Sequence, residues 1–91
     1  MSPRIQDAPH GQNLVIQTRT GRVVIGRFDQ ANAFEALLHD CDVYDPPPGS
    51  DAETYVREAA TWGVDVKHRD YSLSTSEVVG WRRLGDVPKL G

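Results

Sequence analysis

The sequence predicts a mainly β domain: five antiparallel strands in a strongly bent barrel, with one α-helix inserted after the third strand. Runs of β-forming residues alternate with short turns, and one segment has helical periodicity instead. A chain of 91 residues is enough for one domain only. Because so short a chain buries a thin core, we expect the domain to gain stability from neighbouring subunits.

The first half of the chain predicts a three-stranded meander, with turns at Thr20–Gly21 and at 29–32. Residues 1–12 contain prolines and few apolar side chains, so we expect a flexible N-terminal tail. Gly26 lies inside the second strand, where a glycine allows the sharp bend that a small barrel requires. The three strands are expected at 14–19, 22–28 and 34–44.

A helix is predicted over 51–62, after three consecutive prolines that end the third strand. Ser50 and Glu53 have the spacing of a capping box, in which each side chain satisfies a free backbone amide of the first turn. Tyr55 and Trp62 belong to one apolar stripe of this helix. We expect them to pack over the sheet; the alternative is a surface for a protein partner.

The end of the chain predicts the fourth and fifth strands, at 64–73 and 77–84, joined by a tight turn at 74–76. The folded domain is therefore expected to span 13–84. Residues 85–91 are expected to form a C-terminal tail.

The spacing of several residues resembles the first motif of the Sm-like family. Gly21-Arg22 is followed by Gly26 and then by the run Phe34–Leu38, and the fold-level resemblance covers about residues 13–84. The resemblance implies an Sm-like barrel that assembles into a ring when the fourth strand of one subunit pairs with the fifth strand of the next. It also implies RNA binding. The side chains expected at the subunit interface are Tyr71, Leu73, Val78, Val79 and Trp81.

The RNA-binding residues of the family are only partly matched. Asn32 and Ala36 stand where Sm-like sites have an aspartate and an asparagine, and Ser72-Leu73 stands where the second motif has Arg-Gly. We therefore expect any RNA site to use Asn32 together with basic side chains near aromatic ones. Those basic residues are Lys67, His68, Arg69, Arg82 and Arg83.

Composition restricts the partners further. Ten lysines and arginines against 13 acidic residues give a net charge of -3, which argues against nucleic-acid binding by bulk charge and leaves a local patch. The single cysteine, Cys41, excludes an intrachain disulfide and a thiol-rich zinc site, and it favours the cytoplasm. No apolar run reaches the roughly 20 residues of a membrane span, so we expect no membrane partner.

Catalysis is the weakest of the functions considered. His39 and Cys41 are two residues apart on a predicted strand and could share a face, but no third orienting group accompanies them. The three histidines lack metal-ligand spacing. We therefore expect no enzyme, no metal and no cofactor. The predicted function is a non-enzymatic Sm-like ring that binds single-stranded RNA; the alternative is a scaffold or adaptor ring that docks protein partners without RNA.

Overall fold

The computed structural model describes residues 4–90, which form one five-stranded antiparallel sheet and one α-helix. The helix, α1 (Glu53–Trp62), lies between the third and fourth strands. The strands are adjacent in the order β4-β3-β2-β1-β5. This confirms the mainly β class, the strand count and the inserted helix. The strands are β1 (Asn13–Thr18), β2 (Val23–Ala31), β3 (Glu35–Tyr44), β4 (His68–Ser74) and β5 (Val78–Arg83).

The sheet does not close into a barrel, so the strongly bent barrel expected from the sequence is not confirmed. Within residues 4–90, no hydrogen-bonded ladder joins β4 to β5, although only a short 3-10 turn, Thr75–Glu77, connects them. A cleft of about 450 Å³ lies beside β4. It is lined by Tyr71 and Leu73 of β4, by Thr18 of β1 and by Glu77 of the β4–β5 turn.

Each face of the sheet covers its own apolar core, because successive strand residues point to opposite faces. The first core contains Leu14 and Ile16 of β1, and the second contains Val15 between them. Helix α1 packs on the second face through Val56 and Ala59. The remaining buried members of the first core are Ile5, Val24, Phe28, Ala36, Leu38, Cys41 and Leu73.

Three backbone positions shape the β1–β2 turn and the β2–β3 ladder. Gly21 has a φ of 90° in the β1–β2 turn, a conformation that favours glycine. A Cβ at Gly26 would overlap the sulfur of Cys41, and the β2–β3 register shifts at this point, as a β-bulge does. Opposite it, Asp40 has a φ of 53°, which is uncommon for a side chain other than glycine.

Both terminal segments differ from the expected tails. Ile5 is only 3% exposed in the first core, and the Trp81 indole N–H donates to the Arg4 carbonyl oxygen at 3.1 Å. Val87 is 5% exposed in the second core. The few apolar residues of these segments give no clear periodicity, so the sequence pattern did not predict this packing. Residues 1–3 and 91 of the expected tails lie outside the described residues.

The helix and β4 both begin later than expected. The capping box does not form, because the Ser50 hydroxyl instead donates to the Pro47 carbonyl oxygen within the preceding turn. The Asp51 carboxylate accepts the Glu53 amide in its place. Gly63 has a φ of 99° and ends α1; residues 64–67 then cross the second face before β4 starts.

Candidate interaction surface

Two of the predicted RNA-binding cations are held in ion pairs. The Lys67 ammonium lies 3.0 Å from a carboxylate oxygen of Asp42 and 3.4 Å from one of Asp65. The Arg82 guanidinium lies 2.6 Å from a Glu53 carboxylate oxygen on α1. These contacts neutralise both positive charges locally, which weakens any attraction of this chain for phosphate.

The other predicted cations are more accessible but lie on opposite edges of the sheet. His68 and Arg69 begin β4, whereas Arg83 ends β5. All three are exposed, and none forms an ion pair among the residues that the structure describes. The His68 ring lies against Tyr71, with 5.4 Å between centroids. One chain therefore does not bring the predicted basic residues into a single patch.

Asn32 shapes the β2–β3 turn. Its side-chain oxygen accepts the backbone N–H groups of Phe34 at 2.7 Å and Glu35 at 2.9 Å, as in an Asx turn. The Thr75 hydroxyl fastens this turn to the β4–β5 turn by donating to the Ala33 carbonyl oxygen at 2.7 Å. At the tip, the Phe34 side chain is 81% exposed. Sequence reasoning missed this aromatic group because it placed Phe34 in the third strand.

The predicted interface residues divide into buried and exposed groups. Leu73 is buried in the first core, and Tyr71, Val78 and Trp81 pack against the same core. Val79 alone of the five is strongly exposed, at 54%, and lies on the outer strand β5.

The two aromatic residues of the apolar helix stripe differ in their exposure. Tyr55 packs as expected: its ring stacks on Tyr44, with centroids 4.2 Å apart. The expectation for Trp62 is wrong, because its side chain is 79% exposed. Trp62 is the last residue of α1, and its exposure is compatible with the alternative of a partner surface.

Asp42 is the centre of a buried polar network on the second face. Its side chain is 4% exposed, and it accepts hydrogen bonds from the Tyr55 hydroxyl and from the Lys67 ammonium. Burial, reinforced by the bond to Asp42, raises the pKa of Tyr55, so this hydroxyl stays protonated. The hydrogen bond to Asp42 also raises the pKa of Lys67, which stays charged. The network joins β3 to α1 and to the segment before β4.

His39 is the centre of a second network, on the exposed surface of the strands. Its Nε2 lies 2.9 Å from an Asp29 carboxylate oxygen on β2, and its Nδ1 lies 2.7 Å from one of Asp70 on β4. The hydrogen bonds to Asp29 and then to Asp70 raise the pKa of His39, because both acceptors favour the charged imidazolium. His10 approaches the same aspartate, with Nδ1 at 2.6 Å from the Asp29 backbone oxygen.

Cys41 and His39 are separated rather than paired. Cys41 is completely buried beneath Gly26 in the first core, whereas His39 binds its two aspartates. Burial raises the pKa of the Cys41 thiol to about 11, so the thiolate nucleophile is scarce at neutral pH.

The described residues contain neither a metal-binding cluster nor a helix that could span a membrane. Residues 4–90 contain no group of three or more histidine, cysteine or acidic side chains arranged to hold a metal ion. Their one α-helix is too short and too polar to cross a membrane.

Comparison with known proteins adds no relative. No protein-family model matches the sequence, and no curated protein matches it. The resemblance to the Sm-like family therefore rests on the residues quoted above alone.

Proposed function

We propose that the chain is a non-enzymatic assembly module whose copies pair through the edges of their sheets, β4 of one copy against β5 of the next. The observation that carries the proposal is the pair of open edges. Among residues 4–90, the two edge strands each have a ladder partner on one side only: β3 lies beside β4, and β1 lies beside β5. An open edge presents unpaired N–H and C=O groups, for which a second edge is the natural partner.

The side chains on the two edges support this pairing. Natural sheets protect a free edge with charged side chains, lysine above all, with proline or with a covering loop. Neither β4 nor β5 contains a lysine or a proline. Their charged residues lie at the start of β4 (Arg69 and Asp70) and at the end of β5 (Arg82 and Arg83), whereas Val79, near the start of β5, is 54% exposed. Pairing β4 with β5 of the next copy would satisfy both edges and bury this valine. Repeated at both edges, the contact generates a closed ring if the rotation between copies closes.

A lysine at Val79 tests the assembly, since a charged side chain on an edge strand opposes pairing. We expect the wild-type chain to be oligomeric by native mass spectrometry at micromolar concentration and Val79→Lys to be monomeric. Val66→Lys is the matched control, because Val66 is similarly exposed, at 48%, and lies outside the strands. A monomeric wild-type chain, or equal effects of the two substitutions in chains with unchanged circular dichroism, contradicts the proposal.

A protein is the ligand class that one copy of the chain fits best. Lys67 and Arg82 are already paired with acidic groups, and the net charge is -3. The exposed Trp62 at the end of α1 offers the kind of aromatic side chain that anchors protein interfaces. On this reading the ring is a scaffold or adaptor that displays one Trp62 per copy.

Single-stranded RNA is the second candidate, and the assembly itself favours it. In an antiparallel pairing, the start of β4 lies beside the end of the neighbouring β5, so His68 and Arg69 of one copy would approach Arg83 of the next. Each junction would then form a basic patch that one chain lacks, and a ring would repeat it. The exposed Phe34 on each copy adds a surface on which a base could stack.

Oligo-U and oligo-A binding at two salt concentrations tests the second candidate. We expect affinity that falls with salt, is reduced by Arg83→Ala and is lost in Val79→Lys, because the patch needs the assembly. Arg27→Ala is the matched control, since Arg27 is exposed and already paired with Asp40. An RNA affinity that does not change with salt concentration, or that is retained in the monomeric variant, refutes an RNA site at the junction. The protein scaffold is then the remaining proposal.

A further inference from the structure

Helix α1 holds the end of the described chain as if it were a bound peptide. The Arg57 guanidinium donates from Nε to the Pro88 carbonyl oxygen at 3.1 Å and from Nη2 to the Lys89 carbonyl oxygen at 2.9 Å. One turn later on the helix, the Thr61 hydroxyl oxygen accepts the Leu90 backbone N–H at 2.9 Å. Three consecutive residues are thus held by their backbone atoms.

Only one side chain of the segment is inserted deeply. Val87 is 5% exposed and packs in the second core with Val56, Ala59 and Leu84. Pro88, Lys89 and Leu90 are exposed. One buried anchor followed by hydrogen bonds to the backbone is how extended peptides are generally recognised: the pocket gives specificity and the backbone contacts give affinity.

The segment leaves part of the groove open. A cleft of about 600 Å³ remains beside it, lined by Ala60 of α1, by Val64 just after the helix, by Leu84 and by Lys89. A short 3-10 turn, Leu84–Asp86, connects the segment to β5. Leu84 is buried in the second core, but Gly85 and Asp86 are exposed and a Cβ added at Gly85 would meet open space. These two exposed residues are the position at which the segment can turn away from the domain, as at a hinge.

We propose that this groove, formed by Arg57, Thr61 and the pocket for Val87, is a docking site that also accepts residues 87–90 of a second copy of the chain. A second copy is the occupant because its identical segment satisfies every contact described above, which is the physical basis of domain swapping. The site is independent of the proposed edge pairing, since none of its contacts uses β4 or Val79.

A disulfide trap tests the exchange in the full chain. The combined substitutions Thr61→Cys and Leu90→Cys put one thiol on each of two residues that are joined by the hydrogen bond from the Leu90 backbone N–H to the Thr61 side chain, and mild oxidation with oxidised glutathione can then join the thiols. Exchange predicts covalent dimers on a non-reducing gel, whereas a segment that never leaves its own helix gives only intrachain bonds. Leu90→Cys alone controls for unspecific coupling, and Cys41 is buried. The trap is repeated in a chain that also carries Val79→Lys. Covalent dimers that still form there show that the exchange does not depend on pairing of the sheet edges.

A synthetic peptide of residues 84–90 tests the groove itself by fluorescence polarisation. In the Val87→Asp chain the resident segment no longer competes, so the peptide should bind about tenfold more tightly than to the wild-type chain. Adding Arg57→Ala should abolish this gain, while Arg69→Ala, an exposed arginine outside the groove, should leave it unchanged. Equal peptide binding with and without Arg57 overturns the proposal. If Val87→Asp does not fold, the disulfide trap decides: exclusively intrachain bonds refute the exchange.

Discussion

Strand β3 contains two ionic networks, one around Asp42 and one around His39, and they differ mainly in their exposure to water. The Asp42 side chain is 4% exposed and ties β3 to α1. The His39 side chain is 26% exposed and ties β3 to β2 and β4 within the sheet. The contacts are of similar length, yet physical chemistry assigns them different roles: the buried network stabilises the fold, and the exposed one makes it sensitive to pH.

The buried network is costly to disturb because its buried groups, the Asp42 carboxylate and the Tyr55 hydroxyl, do not have free access to water. An unsatisfied buried polar group loses the full free energy of its hydration, whereas a group at the surface exchanges one hydrogen bond for another. Tyr55 would keep its half-buried hydroxyl without an acceptor if Asp42 were lost. The Lys67 ammonium, with its side chain 58% exposed, could return to solvent.

The largest effect is therefore expected from Asp42→Ala. Removing the carboxylate leaves the Tyr55 hydroxyl unpaired, so we expect a loss of about 2–3 kcal/mol in the free energy of unfolding, measured by urea denaturation. Asp65→Asn is the matched control, because Asp65 binds the same lysine but is 81% exposed. It should change stability far less. Equal losses in the two variants would mean that burial does not distinguish these contacts.

The exposed network predicts a pH response of intermediate size. The pKa of His39 is raised in the folded chain, whereas the unfolded value is about 6.5. Its stabilisation is therefore fully present below about pH 6.5 and is lost as pH rises through the higher, folded pKa. Unfolding in urea at a series of pH values should show this loss, and His39→Gln should remove it.

Neighbouring groups define the controls for that experiment. Asp29 and Asp70 face His39 directly, His10 shares Asp29, and Arg27 is paired with Asp40 nearby. His10→Gln reports any contribution of the second imidazole. If the free energy of unfolding of His39→Gln falls above pH 6.5 as steeply as that of the wild-type chain, His39 is not the source of the pH response and the two networks do not differ in the way proposed.

Neither of the two networks could be predicted from the sequence, although the strands and the helix could. Runs of β-forming residues separated by turns predicted the strands, and helical periodicity predicted the helix, because those signals are local. Asp42 and His39 acquire their roles from partners elsewhere in the chain: Tyr55 and Lys67 for one, Asp29 and Asp70 for the other. No spacing rule connects such residues. The predicted site was affected most, since Lys67 looked like a free cation and is a partner of Asp42.

For a related reason, the sequence could not predict whether the sheet closes or whether the terminal segments are buried. A strand pattern specifies which residues pair locally but not whether the outermost edges meet. Ile5 and Val87 are buried in the fold, but each lies in an expected tail with too few apolar residues to show a periodicity. A large apolar side chain in an expected tail is therefore a reason to expect docking.

The smallest effect is expected from the Arg22–Asp45 pair, which extends the comparison to a fully solvated contact. The guanidinium donates to both carboxylate oxygens, at 2.7 and 3.0 Å, and this hydrogen bonding lowers the pKa of Asp45. Its stabilisation is present above the unfolded pKa and is lost as pH falls through the folded one. Because the two side chains are 44% and 63% exposed, water replaces the contact readily. A double-mutant cycle of Arg22→Ala and Asp45→Ala at pH 7 should therefore give a coupling well below the effect of Asp42→Ala, despite the better two-point geometry. A coupling as large as that effect would mean that geometry, rather than exposure, sets the strength of ionic contacts in this fold.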